Sequence, residues 1–120
     1  VMVSALTLHS VGEKKMTKEI TNDKDFREWV TESKDTVVVD FWAQWCGPCL
    51  AMAPTFLEIE KDISSAKFYK INVDDYTSMA QKYMIFSIPT FIIFKDGKEV
   101  SKRQGGGSKD DMVKWINDNI

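Results

Sequence analysis

The sequence predicts an α/β fold, a sheet whose strands are joined by crossover helices. Three observations predict it. From Met16 onward, strand-like and helix-like patterns alternate, which is how βαβ construction reads along a chain. Thr36 to Ala43 is β-branched and nearly all apolar, as a central strand covered on both faces should be. The 120 residues, 43% hydrophobic and 28% charged, are enough for one compact domain and one core, and too few for two ordinary domains.

A short strand around Lys18 to Ile20 comes first. Asn22 and Asp23 are cap candidates for a helix marked by Phe26, Trp29 and Val30. The strand from Thr36 follows, carrying Asp40 as its one charge. Leu50, Ala53, Phe56, Leu57 and Ile63 then recur at helical intervals, and Pro54 should bend that helix because it removes a backbone donor. Lys67 to Val73 reads as a strand, and Asp74-Asp75 as the cap of a short helix through Ala80 to Tyr83. Thr90 to Lys95, the Asp96-Gly97 turn and Lys98 to Gln104 form a hairpin, whose second strand is polar enough to sit at an edge. Gly105 to Gly107 ends it. Ser108 and Asp111 open a last helix by a reciprocal cap, with Met112, Trp115, Ile116 and Ile120 as its buried stripe. Residues 1–15 stand outside this alternation as an N-terminal extension, strand or flexible tail, and residues 16–120 form the domain.

Composition excludes several functions. The formal net charge of −2 arises from mixed acids and bases, so no basic stripe invites nucleic acid. The longest apolar runs, Val37 to Val39 and Phe91 to Phe94, are far below the roughly eighteen residues of a membrane span. The apolar start at Val1 has no preceding cation and makes a poor secretory signal, so a cytoplasmic location is expected. Zinc needs four ligands where the chain offers two cysteines and the distant His9, which reads as a solvated surface residue. No metal or other cofactor is expected.

The two cysteines lie three positions apart, in Trp45-Cys46-Gly47-Pro48-Cys49. Following a buried strand and opening a helix, Cys46 meets the unpaired N–H groups and dipole of a helix N-terminus, which favour a thiolate. Cys46 is therefore the candidate nucleophile. Cys49, one turn on, can close a disulfide with it and is the candidate resolving thiol. Pro48 suits the first turn, and Gly47 should let the backbone turn tightly. Two inert buried cysteines are the alternative, which this strand-turn-helix setting disfavours.

The stretch from Val39 to Cys49 resembles the active-site segment of the thioredoxin family. The resemblance extends over residues 16–120 through Pro54, Lys70, Ile88-Pro89-Thr90, Asp96-Gly97 and Gly105. It implies the thioredoxin fold, a central mixed sheet of five strands flanked by four helices. It also implies roles. Asp40, costly to bury as a carboxylate, would exchange a proton with Cys49 through a water, with Lys70 as partial counter-charge; a structural ion pair is the alternative. The Ile88-Pro89 bond would be cis, holding backbone groups open for an extended substrate, though a proline starting an edge strand would look the same in sequence. Gly105 would let a partner's backbone approach the other rim. Trp45 is a candidate contact surface, whereas Trp42 suits core packing equally well.

Two residues depart from the family pattern. Leu50 stands where lysine or arginine is common, and Phe86 lies in the approach to Pro89. The rim should be more apolar, the Cys46 thiolate slightly less favoured, and hydrophobic partners preferred. The expected function is protein-disulfide reduction by dithiol–disulfide exchange. A monomer is expected, recycled by an NADPH- or ferredoxin-linked thioredoxin reductase and acting on disulfide-containing client proteins. A thiol oxidase or isomerase of the same fold is one alternative, disfavoured by Gly47-Pro48, and a non-catalytic partner-binding module is another.

Overall fold

The computed structural model describes residues 17–120. The extension over residues 1–15, with His9, lies outside the described residues. The elements are β1 (Lys18–Glu19), α1 (Asp23–Phe26, continuing as a π-helical turn over Arg27–Thr31), β2 (Thr36–Trp42), α2 (Gly47–Asp62), β3 (Ala66–Asn72), α3 (Thr77–Lys82), β4 (Thr90–Lys95), β5 (Lys98–Gln104) and α4 (Lys109–Asp118). The five strands form one sheet in the order β1-β3-β2-β4-β5. β1, β3 and β2 run parallel, β4 runs antiparallel to β2, and β5 antiparallel to β4. This is the mixed five-stranded sheet with four helices that the sequence led us to expect.

Why the sheet takes this order follows from burial. β2 lies at its centre, and Val37, Val38, Val39 and Phe41 are all fully buried, so it needs cover on both faces. Successive residues point to opposite faces. On one side Val37, Val39 and Phe41 pack with Phe26, Val30, Ile71, Ile92 and Phe94. On the other, Val38 packs with Phe56, Ile59, Phe68, Phe91, Met112 and Ile116, beneath α2 and α4. Asp40 shares the parity of Val38 and therefore the face that the cysteine helix covers.

Local signals place most ends correctly. Asn22 Oδ1 accepts from the Asp25 N–H at 2.8 Å, capping α1. Ser108 Oγ accepts from the Asp111 N–H at 3.1 Å and caps α4. The hairpin turn has both central residues left-handed, φ 50° at Asp96 and 78° at Gly97, as a tight two-residue loop requires.

Several expectations are corrected. The second half of the first helix is π-helical, with the Glu32 N–H donating to the Arg27 carbonyl at 2.8 Å. The buried stripe of α2 runs through Cys49, Met52, Phe56 and Ile59, not through Leu50 and Ala53, which are exposed. Met52, Phe56 and Ile59 pack with the sheet residues Val38, Phe68 and Phe91, and that is the face turned inward. Asp74 and Asp75 do not cap α3. Instead Asn72 Oδ1 accepts from both of their N–H groups, at 2.9 and 3.3 Å, and α3 begins after Tyr76 with no side-chain cap. Ile120 lies beyond the end of α4 and is exposed, because the helix stops before its turn would carry that side chain back to the sheet.

Candidate active site

Cys46 is the N-cap of α2, and Gly47 and Pro48 occupy its first turn. The chain leaves β2 at Trp42 and delivers Cys46 to the end of the sheet, where the Cys46 N–H donates to the Ala43 carbonyl at 3.2 Å. A cap side chain normally offers an oxygen to the free N–H groups. Here sulfur does so: the Cys49 N–H donates to Cys46 Sγ at 3.2 Å. That bond and the positive end of the helix both favour negative charge on Cys46 Sγ. Cys46 and Cys49 are joined as a disulfide, with Cα atoms 5.2 Å apart. Both are buried to a similar degree, so exposure does not distinguish them, whereas only Cys46 holds the cap position. Gly47 is exposed, has space where a Cβ would stand, and does not adopt the left-handed conformation, so the tight-turn reason for glycine there is not met.

The Ile88–Pro89 peptide is cis, as the resemblance implied, and the Ile88 carbonyl oxygen lies 3.7 Å from Cys46 Sγ. Gly105, with φ 80°, donates its N–H to the Pro89 carbonyl at 2.7 Å, so the loop after β5 is tied to the proline loop. Trp45 is 71% exposed, and its indole N–H donates to Asp74 at 2.7 Å, which anchors a ring that still faces solvent. Between Trp45, Val73, Ile85, Phe86, Ser87 and Ile88 opens a cavity of ≈ 300 Å³. Phe86, 79% exposed, and Leu50, 52% exposed, make the rim apolar as expected.

Behind the sulfurs lies a polar row. Asp40 pairs in register with Lys70, and Lys70 with Glu19, so the three side chains sit side by side on adjacent strands. Asp40 is 5% exposed, and its Oδ1 has no hydrogen-bond partner. Burial pushes its carboxyl from the usual 3.8 up to about 7, against the pull of Lys70 and with a push from Glu19. The Lys70 ammonium lies 4.1 Å from the centre of the Trp42 ring. The Trp42 indole N–H donates to Glu19 Oε2 at 3.0 Å. Trp42 packs against the buried Ala43–Cys46–Cys49 cluster, as the packing reading expected, and in addition joins a cation to an acid. Sequence reading missed Glu19, and its one signal was a charge on the inward face of a strand only two residues long.

A disulfide whose first sulfur caps a helix at the end of a buried strand, facing a cis-proline loop, is the arrangement of a dithiol–disulfide oxidoreductase. The Thioredoxin family model matches residues 17–118, and the chain belongs to the thioredoxin family. It is 42% identical to the thioredoxin of Rickettsia bellii over 106 residues, 88% of this chain and all of that protein. It is 44% identical to the thioredoxin of Chlamydia caviae over 81 residues, 68% of this chain and 79% of that protein. Mitochondrial thioredoxin 3 from Saccharomyces cerevisiae, in its oxidised form, superposes with a TM-score of 0.78 at 31% identity, covering 85% of this chain and 94% of that one. The protein is a protein-disulfide reductase acting by dithiol–disulfide exchange, and the family implies a thioredoxin reductase and disulfide-containing clients as its partners.

Proposed function

We propose that Cys46 is the attacking sulfur and Cys49 the resolving one, and that Asp40, tempered by Lys70, handles the proton. In the reduced protein, Cys46 thiolate attacks one sulfur of a client disulfide. That bond breaks, the client's other sulfur leaves as a thiolate, and a mixed disulfide joins Cys46 to the client. Asp40 accepts the Cys49 proton, directly or through a water, and Cys49 attacks Cys46 Sγ. The client's second sulfur leaves and takes up a proton. Two electrons have passed to the client, and Cys46–Cys49 is oxidised as in this structure. The observation that carries the assignment is the Cys49 N–H directed at Cys46 Sγ, since it stabilises charge on that sulfur alone.

Trp45, Gly47, Pro48, Ile88, Pro89 and Gly105 form the seat for the client, whose extended backbone pairs beside Ile88 while apolar side chains enter the cavity against Phe86. The domain spans residues 16–120 with residues 1–15 as an extension, and the protein works as a cytoplasmic monomer. Among the described residues, no helix is long and apolar enough to cross a membrane. An NADPH- or ferredoxin-linked thioredoxin reductase returns the pair to the dithiol.

The test is the midpoint potential of the Cys46/Cys49 couple against glutathione. A reductase is expected near −270 mV, whereas a value of about −180 to −120 mV would reassign the protein as an isomerase or oxidase. The proton step is tested by Asp40→Asn, expected to slow mixed-disulfide resolution at neutral pH by roughly 100-fold or more while leaving Cys46 alkylation near its native rate.

A further inference from the structure

We propose that Glu19 is a positioning residue for the proton step: by holding Trp42 and sharing Lys70, it sets how tightly Asp40 keeps its proton. The inference rests on Asp40 as the proton acceptor and extends that role to a residue outside the cysteine motif.

Glu19, Lys70 and Asp40 occupy consecutive strands in register, one cation between two acids, on the face that α2 covers. Neighbouring strands are about 4.8 Å apart, so each acid is one strand spacing from Lys70 and two from the other. Lys70 forms no ion pair with either among the described residues, and its ammonium rests over Trp42 instead. Trp42 is fixed in turn by Glu19 through the 3.0 Å indole bond. Glu19 therefore acts on Asp40 in two ways. It adds negative charge to the row, and it holds the ring that determines where the Lys70 charge sits. Both disfavour ionised Asp40.

Asp40 is open to such control because its Oδ1 has no hydrogen bond in the protein, leaving burial and nearby charge to govern it. The charged groups acting on it are Lys70 from β3 and Glu19 from β1. β4 presents buried Phe91 at the paired position, and α2 contributes the cysteines, which do not titrate while joined. Asp75 also acts on Glu19, as do Lys70, the Trp42 N–H and the backbone at Asn72. An acid on the covered face of an edge strand is otherwise a cost in desolvation with no packing gain.

The test is a titration of Asp40 by the chemical shift of its carboxyl carbon, in the oxidised protein, with Asp40→Asn to assign the signal. In Glu19→Gln, which keeps an acceptor for Trp42 but loses the charge, the Asp40 midpoint is expected to shift to lower pH. In Glu19→Asp, which keeps the charge but is one methylene short of Trp42, it should shift less than in Glu19→Gln. The Trp42 indole N–H resonance reports whether the row is intact. An unchanged or raised midpoint in Glu19→Gln overturns the proposal, as does an equal shift in both variants, which would mark lost packing. Native-rate resolution by Asp40→Asn would refute the acceptor role while leaving Glu19's hold on the Asp40 titration standing.

Discussion

Asp40 couples the chemistry to the stability of the native state. Its folded-state proton affinity is raised from the 3.8 of an ordinary carboxyl to about 7, so between those values the native state binds a proton that the unfolded chain has released. Stability therefore falls as pH rises through this window, because the native protein either holds the proton against the solvent or ionises in a buried site. The destabilisation is absent below pH 3.8 and complete above about 7. Its full size is about 4 kcal/mol. We expect Asp40→Asn to be more stable than the native protein at pH 8 by up to that amount, with the gain shrinking towards pH 4, as measured by urea unfolding of the oxidised forms. An equal stability difference at both pH values would contradict this account. The residue proposed to speed resolution thus weakens the fold, a trade common at working sites.

At the scale of elements, the β4–β5 turn is the most exacting. Gly97 has φ 78°, and a Cβ there would collide with the Thr31 carbonyl at the end of the π-helical turn. Gly97→Ala combines an unfavourable left-handed conformation with a backbone clash, and should lose at least about 2 kcal/mol in urea unfolding. Asp96-Gly97 was legible in the sequence because turn chemistry is local. So were the Ser108 cap and the apolar β2. The stripe of α2 was not: leucine and alanine at helical spacing look like a core face, whereas Met52 and Ile59, packed with Phe56 against the sheet, are the residues turned inward. The π-helical turn left no signal either, since Val30 is buried in it, and Phe26 just before it, as they would be in an α-helix. Asn72 displaced Asp74 and Asp75 as the helper of the turn before α3 because its side chain, at the end of β3, reaches both N–H groups at once.

For the whole molecule, the sheet divides two cores that share only the strands. Phe56 of α2 meets Phe68 of β3 at 5.5 Å and Phe91 of β4 at 5.6 Å between ring centres, and so ties the cysteine helix to the sheet. Phe56→Ala should remove about 3–5 kcal/mol, a large share of the stability of a domain this size, and lower the Tm accordingly. The fold class was readable from the alternation and the apolar β2, and the cap position of Cys46 from its place between strand and helix. Strand order and the Glu19–Lys70–Asp40 row were not, because they depend on which distant segments become neighbours.

The bridge between the cysteines spans only three positions of chain. Closing so small a ring restricts the disordered polymer by about 2 kcal/mol, less than half of what a hundred-residue ring would impose. Cys46 and Cys49 lie with Ala43 in a small buried cluster of their own, apart from the two large cores. Architecture and electron storage are therefore nearly uncoupled, and the scaffold can be charged and discharged many times without being asked to refold.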